Sequence, residues 1–359
     1  MGECCAGSYR HRTPGDSPLY QLVEDYYDAF ERCYDERYER QYGFWRTIIR
    51  EKIYKFTDCG DLRNGFARIR CKSCGHTMFL AFSCKTNCLC PSCAQRRALD
   101  FGDWVVDEVI QGIPIVSCTF TIPKMLRIYY KFDHSLFPEL SKCAYETMKE
   151  CFQAALDNDA LVPGMITGVH SAGKILNFHP HIHGVVSAGC FDREGTFYRI
   201  PFMPDREQLE KVFMHKVLRM MREKDKVHED IVEKLTSWTK SGFNVHVGDE
   251  MGPGERKARE RAARYLVRAS VSLEKMTYVP QQGKVVYGDS VDTKTYDALD
   301  FLALLSCHIT DRWERRVIPH EPLQNHSPRT SLSCMNMNVP FEWYSLSLNR
   351  LVVLRTERA

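Results

Sequence analysis

The sequence contains no long hydrophobic run. No segment approaches the roughly 18 consecutive apolar residues that a transmembrane helix requires, so we expect no membrane span. The first residues, MGECCAGSYRHRTPGD, lack the apolar stretch of a secretion signal. From these two absences we predict a protein of the cytoplasm that does not act at a membrane.

An excess of charge of one sign is also missing. The chain carries 49 Lys and Arg against 46 Asp and Glu, which leaves a net charge of only +3, so the overall balance does not indicate a nucleic-acid partner. The distribution is uneven, because residues 251–275 contain seven Lys or Arg and three Glu. A solvated helix face is the commoner explanation for such a run, and a nucleic-acid surface is the alternative.

Neither an internal repeat nor a regular alternation of strands and helices is present. Helical spacing of apolar residues and strand-like β-branched or alternating segments occur in an irregular order. This order predicts an α+β fold with an antiparallel or mixed sheet and not a doubly wound parallel sheet. The predicted helices fall within 18–56, 134–157, a stretch after Asp205, 255–269 and 299–316, and the predicted strands at 113–123, 164–173, 179–189 and 242–248.

Cysteine, by contrast, is abundant, and six of the sixteen cysteines lie between Cys71 and Cys93. Two Cys-x2-Cys pairs, Cys71 with Cys74 and Cys90 with Cys93, are separated by fifteen residues, a spacing typical of zinc sites. Four thiolates complete a tetrahedral shell, so this pattern predicts a structural Zn²⁺ and a reducing compartment. Nearby side chains could replace a ligand or form a second site: Cys59, Cys84, Cys88 and His76, of which Cys88 and His76 are better explained as bystanders.

A second cluster lies in NFHPHIHGVV, where His179, His181 and His183 occupy alternate positions. In a strand these imidazoles project from one face. His181 and His183 flank Ile182 and could bind a catalytic divalent ion with open coordination positions, which suits a scissile phosphate. His179 precedes Pro180 at the start of the strand and is a less secure third ligand. Hydrogen-bonded structural histidines are the alternative.

A phosphate held at such an ion requires a nucleophile, and the basic helix predicted over 255–269 offers Tyr265. Helical spacing places Tyr265 on the apolar face of that helix, where a core tyrosine would be the ordinary explanation. The surrounding charge favours a functional role, because Arg261, Arg264 and Arg268 could contact a DNA backbone. Tyr278 and Tyr287 are the alternative nucleophiles.

Taken together, these segments resemble the zinc-binding, rolling-circle transposases of the insertion-sequence-ninety-one type, a family of HUH endonucleases. The resemblance runs from about residue 15 to 325 and is carried, in order, by CGDLRNGFARIRCKSCG, AFSCKTNCLCPSC, IPIVSCTFTIPKMLR, LNFHPHIHGVV and RYLVR. It implies cleavage of single-stranded DNA at insertion-sequence ends, with a 5′-phosphotyrosine and a free 3′-OH. Ala269 stands where some members have a second tyrosine, so the chain resembles a single-tyrosine version.

The resemblance also implies roles and boundaries. His181 and His183 would bind Mg²⁺ or Mn²⁺ and Tyr265 would be the nucleophile. We predict a helical segment over 1–57, a zinc-ribbon-like module over 58–100, an HUH domain with an antiparallel sheet over 101–290, and a helix with an irregular tail over 291–359. DNA is the expected partner, and an oligomer is compatible with the sequence. The competing hypothesis is a zinc-ribbon nucleic-acid-binding protein without catalysis.

Overall fold

The computed structural model of the protein describes residues 13–71, 75–86, 88–320 and 351–354. Its contacts divide the chain into two compact units. Unit 1 comprises the described parts of 1–96, 271–312 and 330–359, and unit 2 those of 97–270 and 313–329. The N-terminal unit therefore includes residues 271–290, which the sequence analysis assigned to the HUH domain.

The described residues form ten α-helices. They are α1 (Pro18–Arg37), α2 (Glu39–Tyr42), α3 (Thr47–Thr57), α4 (Pro91–Trp104), α5 (Arg127–Phe132), α6 (Leu136–Leu156), α7 (Arg206–Glu223), α8 (Glu229–Ser237), α9 (Arg256–Leu266) and α10 (Ala298–Ser306). A single π-helical turn, Val105–Val109, directly follows α4.

In the part of the chain that the structure describes, twelve strands form three antiparallel sheets. The strands are β1 (Phe66–Cys71), β2 (Thr77–Ala81), β3 (Ile115–Thr121), β4 (Val162–Ala172), β5 (Phe178–Phe191), β6 (Phe197–Arg199), β7 (Asn244–Met251), β8 (Met276–Val279), β9 (Lys284–Gly288), β10 (Thr293–Asp297), β11 (Val317–His320) and β12 (Leu351–Leu354). Unit 1 contains the sheets β12-β1-β2 and β10-β9-β8, and unit 2 the sheet β11-β4-β5-β3-β7, in which β6 pairs with β5.

The sheet of unit 2 has one apolar face and one face that carries polar side chains. Strand alternation sends Phe120 of β3 and Ile182 of β5 to the same side, where both are fully buried with Phe213 of α7. Helices α6 and α7 cover this face with a continuous hydrophobic core. The residues that alternate with Ile182, namely His181 and His183, therefore project from the opposite face.

Helix α9 packs on that opposite face at an unusually small distance. A Cβ atom built on Gly168 of β4 would lie 2.3 Å from the carbonyl oxygen of Leu266 and 2.8 Å from its Cα. Because these are backbone atoms at the end of α9, they cannot rotate away from an added methyl group. Glycine at position 168 therefore fixes how closely the end of α9 approaches β4.

In unit 1, α1 contacts both α10 and the small sheet β10-β9-β8. The Tyr38 hydroxyl, just after α1, donates to Asp300 of α10 at 2.7 Å. The Tyr278 hydroxyl of β8 donates to Asp25 of α1 at 2.6 Å. These long-range contacts explain why residues 271–312 join the N-terminal helices and not the sheet of unit 2.

The predicted α+β class with antiparallel sheets is confirmed, and the paired strands 164–173 and 179–189 correspond to β4 and β5. Ser17 caps α1 by accepting from Tyr20 N, and Asp205 caps α7 by accepting from Glu207 N and Gln208 N. The helix predicted over 299–316 ends at Ser306. None of the described helices combines the length and the apolar character needed to cross a bilayer.

The close packing at Gly168 predicts a specific stability defect. Substituting Gly168→Ala should lower the free energy of unfolding by about 1–3 kcal/mol, because the added methyl group forces α9 away from β4. Gly254→Ala is the matched control, since nothing lies within 4 Å of the Cβ built there, and a change of no more than about 0.5 kcal/mol is expected. Urea unfolding of both variants measures this, and equal stabilities would contradict the packing argument.

Candidate active site and metal centres

Four thiols form a compact cluster in unit 1. The Sγ atoms of Cys59, Cys84, Cys90 and Cys93 all lie within 4.8 Å of one another. Three of the sulfur–sulfur distances are 3.7 Å (Cys59 to Cys93), 3.6 Å (Cys84 to Cys93) and 3.7 Å (Cys90 to Cys59). Tetrahedral Zn²⁺ with bonds near 2.3 Å would set its sulfurs about 3.8 Å apart. The spacing therefore fits a zinc ion.

Three separate segments supply these sulfurs. Cys59 follows α3, Cys84 follows β2, and Cys90 and Cys93 lie at the start of α4. The end of β2 is held beside the end of α3, because Gly60 N donates to the carbonyl of Phe82 at 3.1 Å. Cys84 N also points at the Cys59 sulfur at 3.5 Å, an interaction that orients a thiolate ligand.

The four thiols form hydrogen bonds with one another, and these bonds shift their pKa values in different directions. Hydrogen bonding with the Cys59 sulfur lowers the pKa of Cys93 and raises the pKa values of Cys84 and Cys90. Hydrogen bonds from Cys84 and Cys90 lower the pKa of Cys59 itself to about 7. Four adjacent thiols cannot all lose their protons unless a cation compensates the charge, which is the chemistry of a structural zinc site.

The four clustered thiols differ in part from the zinc ligands that the Cys-x2-Cys spacing predicted. Cys90 and Cys93 do come together, but with Cys59 and Cys84. Of the predicted partners, Cys74 lies outside the described residues, and only the backbone of Cys71 is described. Proximity in sequence could not reveal that the β1–β2 hairpin returns Cys84 to the end of α3. Cys88 and His76 do not belong to this group of four: the Cys88 sulfur accepts from Lys52 at 3.8 Å, and His76 is exposed.

Three imidazoles form a second cluster on the polar face of the sheet in unit 2. One ring nitrogen from each of His170, His181 and His183 lies within 4.8 Å of the other two. The backbone explains this, because His170 on β4 is the cross-strand partner of His181 on β5. His170 was not identified from the sequence. Its only sequence signal is its place in a strand predicted to pair with the histidine strand.

Each of these rings uses one nitrogen for an orienting hydrogen bond. His181 Nδ1 donates to the carbonyl of His179 at 2.6 Å, and His170 Nε2 donates to the carbonyl of Leu266 at 3.3 Å. His183 Nδ1 shares a hydrogen bond with the Thr119 hydroxyl at 3.0 Å. The other nitrogen of each ring is left for a ligand, as in metal sites whose histidines are oriented by a second hydrogen bond.

The imidazoles are held in their neutral forms. Burial lowers the pKa of His170 to about 3 and that of His183 to about 2, and it also lowers the pKa of His181. Neutral imidazole is the form that binds a metal ion. The Nε2 atom of His183 is buried and makes no hydrogen bond within the described residues, so a ligand there would satisfy it.

Tyr265 lies against this cluster. Its ring centroid is 4.6 Å from that of His183 and 5.7 Å from that of His170. The side chain is 42% exposed, so it is not the core tyrosine that helical spacing alone would favour. Arg268 Nη1 donates to the Tyr265 hydroxyl at 3.3 Å, and its guanidinium lies 5.4 Å from the ring centroid.

The arginines in and just after α9 differ in their surroundings. Arg261 and Arg268 are exposed, as a DNA contact requires. Arg264 instead pairs with Asp103 and with Glu260, each at 3.1 Å. Arg259 is almost fully buried, and its guanidinium donates to the carbonyls of Ile110 and Ile113. The basic run is thus partly structural and only partly available to a partner.

The remaining candidates from the sequence are the possible metal ligand His179 and the alternative nucleophiles Tyr278 and Tyr287. His179 starts the histidine row at a ring distance of 5.2 Å from His181, but the cluster of ligand atoms contains His170 in its place. Its buried Nε2 has no hydrogen-bond partner in the described part of the chain. The alternative nucleophiles Tyr278 and Tyr287 are buried in unit 1; Tyr278 binds Asp25, and the Tyr287 hydroxyl accepts from Ser272 N at 3.1 Å.

Comparison with known proteins matches both halves of the chain. Residues 29–122 match the family described as “Transposase zinc-binding domain”, and residues 164–320 match the family described as “Putative transposase”. These matches contain the thiol cluster and the histidine–tyrosine cluster respectively. No solved structure gives a significant match.

Two curated relatives align with part of the chain. The transposase for insertion sequence element IS801 of Pseudomonas savastanoi pv. phaseolicola is 28% identical over 162 residues, which is 45% of this chain and 38% of the relative. The “Putative transposase y4qJ” of Sinorhizobium fredii is 27% identical over 172 residues, 47% of this chain and 42% of the relative. The chain thus matches about two fifths of each relative's length. The two family matches lie in order along the chain and confirm its predicted resemblance to the zinc-binding transposases of the insertion-sequence-ninety-one type.

Proposed function

We propose that the protein is a DNA transposase that nicks and rejoins single-stranded DNA at insertion-sequence ends through Tyr265. The observation that carries this proposal is the contact of the Tyr265 ring with the imidazoles of His170 and His183. Tyr265 is partly exposed, so packing in a hydrophobic core does not explain why its ring lies against the imidazoles of His170 and His183. This position would suit a nucleophile that attacks a phosphodiester.

In this proposal, His170, His181 and His183 hold a divalent cation, Mg²⁺ or Mn²⁺, which when bound supplies positive charge to the scissile phosphate. Leu266 and Thr119 orient two of these rings through their hydrogen bonds. The apolar core under the opposite face of the sheet keeps β4 and β5 in fixed register. The site therefore stands on rigid strands and not on loops, as accurate positioning of a reacting group requires.

The proposed reaction exchanges one phosphate ester for another. The Tyr265 oxygen forms a bond to phosphorus as its proton leaves to solvent, and the bond from phosphorus to the 3′ oxygen of the preceding nucleotide breaks. That 3′ oxygen takes up a proton, so the products are a 5′-phosphotyrosine and a free 3′-OH. Arg268 donates to the phenol oxygen and would stabilise the negative charge that develops there. Attack by a 3′-OH on the phosphotyrosine reverses these steps and rejoins a strand.

Zinc has a separate, structural role in the proposal. Four thiolates from Cys59, Cys84, Cys90 and Cys93 would close the coordination shell, which leaves no open position for a substrate. Binding of the ion then ties the end of α3, the end of β2 and the start of α4 together. Arg261 of α9 and Arg268, just after α9, are the basic residues that we expect to contact DNA, whereas Arg264 pairs with Asp103 and Glu260.

The nucleophile can be tested by trapping the adduct. We expect wild-type protein with Mn²⁺ to form a covalent complex with 3′-labelled single-stranded oligonucleotides tiled across the DNA that flanks the coding sequence. The label stays with the protein because the 5′ end is the linked end. Tyr265→Phe should abolish the complex on denaturing gels while binding is retained, since only the nucleophilic oxygen is lost.

Tyr198→Phe is the matched control for this test, because Tyr198 is similarly exposed at 43% and its hydroxyl binds Asp192. It should form the adduct as the wild type does. An adduct with Tyr265→Phe would identify another nucleophile. Failure of the wild type on every oligonucleotide that it binds would instead favour a non-catalytic nucleic-acid-binding protein.

Metal binding by two variants can decide whether His170 or His179 is the third ligand of the divalent ion. We expect His170→Ala to weaken Mn²⁺ binding about tenfold or more, because one of three imidazole ligands is removed. His179→Ala should change it much less. Electron paramagnetic resonance of free Mn²⁺, measured without DNA, separates this effect from catalysis. The reverse ranking of the two variants would return His179 to the ligand set.

The zinc ligands can be assigned by metal analysis of purified variants. Cys59→Ser and Cys84→Ser should each lose the ion and lower the melting temperature, because a tetrahedral shell with three thiolates is incomplete. Cys33→Ser, at a free half-buried cysteine of α1, is the control. Retention of zinc by Cys59→Ser, together with its loss from a variant with both Cys71→Ser and Cys74→Ser, would restore the ligand set inferred from spacing.

A further inference from the structure

Arg127 lies at the end of the histidine row that is farther from Tyr265. It is the first residue of α5, shortly after β3. Thr121, the last residue of β3, is the cross-strand partner of His181. Ile122 follows Thr121, and its carbonyl accepts a hydrogen bond from Arg127 Nε at 3.4 Å. This bond holds the guanidinium group near the end of β3, and α5 also contacts β5.

The charge of Arg127 is not balanced within the described chain. Its side chain is partly buried, yet it forms no ion pair with any carboxylate of the described residues. Burial lowers its pKa, and its positive charge adds to burial in lowering the pKa values of His179 and His181. A partly buried cation without a counter-charge is costly to maintain. Arg256 and Arg264, by contrast, both have acidic partners.

A second guanidinium lies at the other end of the row. Arg268 binds the Tyr265 hydroxyl, and its charge adds to burial in lowering the pKa values of His170 and His183. Positions 179 and 183 of β5 are about 14 Å apart along an antiparallel strand. The candidate metal site therefore lies between two arginines, and only one of them is near the proposed nucleophile.

We propose that Arg127 binds a non-scissile phosphate of the DNA strand whose scissile phosphate lies between the histidines and Tyr265. The proposal rests on the proposed function for the presence of single-stranded DNA in this site. It adds a positioning residue that does not touch the reacting atoms. With its guanidinium anchored to the Ile122 carbonyl through Nε, the terminal nitrogens remain available for a phosphate oxygen. The bound phosphate would set which bond of the strand reaches Tyr265.

The experiment removes the positive charge of Arg127 from the protein and, separately, the negative charge of single phosphates from the DNA. Binding of a single-stranded oligonucleotide is measured with the Tyr265→Phe parent, so that cleavage does not interfere, and one phosphate at a time is replaced by an uncharged methylphosphonate. Arg127→Gln in this parent should weaken binding about tenfold. It should also reduce the slope of log K against log salt concentration by about 0.7, the value for one phosphate of a single strand.

The decisive result is the pattern along the strand. In the Tyr265→Phe parent, one non-scissile methylphosphonate should weaken binding as much as Arg127→Gln does, and in the Arg127→Gln variant that same replacement should have no further effect. Arg127→Lys should retain part of the affinity and keeps the test available if Arg127→Gln folds poorly. Arg219→Gln, on α7 at the opposite face of the sheet, removes an exposed charge that pairs with Glu223 and should leave binding unchanged.

Other outcomes separate the two proposals. Unchanged binding by Arg127→Gln, or methylphosphonate effects that persist at every position in that variant, would overturn the role of Arg127 and reduce it to a structural bond to Ile122. Binding without an adduct from the wild type would overturn nicking alone, and the phosphate map would still decide on Arg127. Absence of single-stranded DNA binding by the Tyr265→Phe parent would overturn both.

Discussion

The close approach of α9 to β4 determines the geometry of the histidine–tyrosine cluster. The carbonyl of Leu266 lies where a side chain at position 168 would begin, and the same carbonyl accepts the hydrogen bond from His170. Tyr265 precedes Leu266 in the chain. One backbone contact therefore sets the distance between helix and sheet, the orientation of one imidazole and the position of the phenol. Such a contact is possible only if the residue on the strand has no side chain.

The two candidate metal sites differ in ways that match different roles. The four sulfurs come from three segments and are spaced as a closed tetrahedral shell requires, so an ion there would hold the module together. The three imidazoles stand on adjacent strands of an already packed sheet, beside a partly exposed tyrosine. An ion there would add little to folding and would leave coordination positions for a substrate.

Features that depend on local periodicity were predictable from the sequence. The alternation of His181, Ile182 and His183 was sufficient to place two imidazoles on the polar face of a strand. The irregular order of helices and strands predicted an antiparallel or mixed sheet, and helical spacing placed Tyr265 on a basic helix. The resemblance to a known family added the roles of these residues, which periodicity alone left open.

Features that depend on the pairing of distant segments were not predictable. His170 is a single histidine in its strand, and only the register of β4 with β5 brings it opposite His181. Cys59 and Cys84 belong to no Cys-x2-Cys pair, and the hairpin that returns Cys84 to the end of α3 has no signature in cysteine spacing. In both cases a candidate ligand comes from a segment whose approach is set by backbone hydrogen bonds and not by sequence distance.

The burial of Arg259 has a consequence for mutational scanning of α9. Its guanidinium binds the carbonyls of Ile110 and Ile113 next to the π-helical turn, so alanine at this position would leave backbone acceptors unsatisfied inside the protein. A screen that scored only lost activity would class Arg259 with the exposed Arg261, although one variant would be misfolded and the other intact. Abundance and solubility must therefore be read alongside activity to separate the arginines that build this helix from those that it presents to a partner.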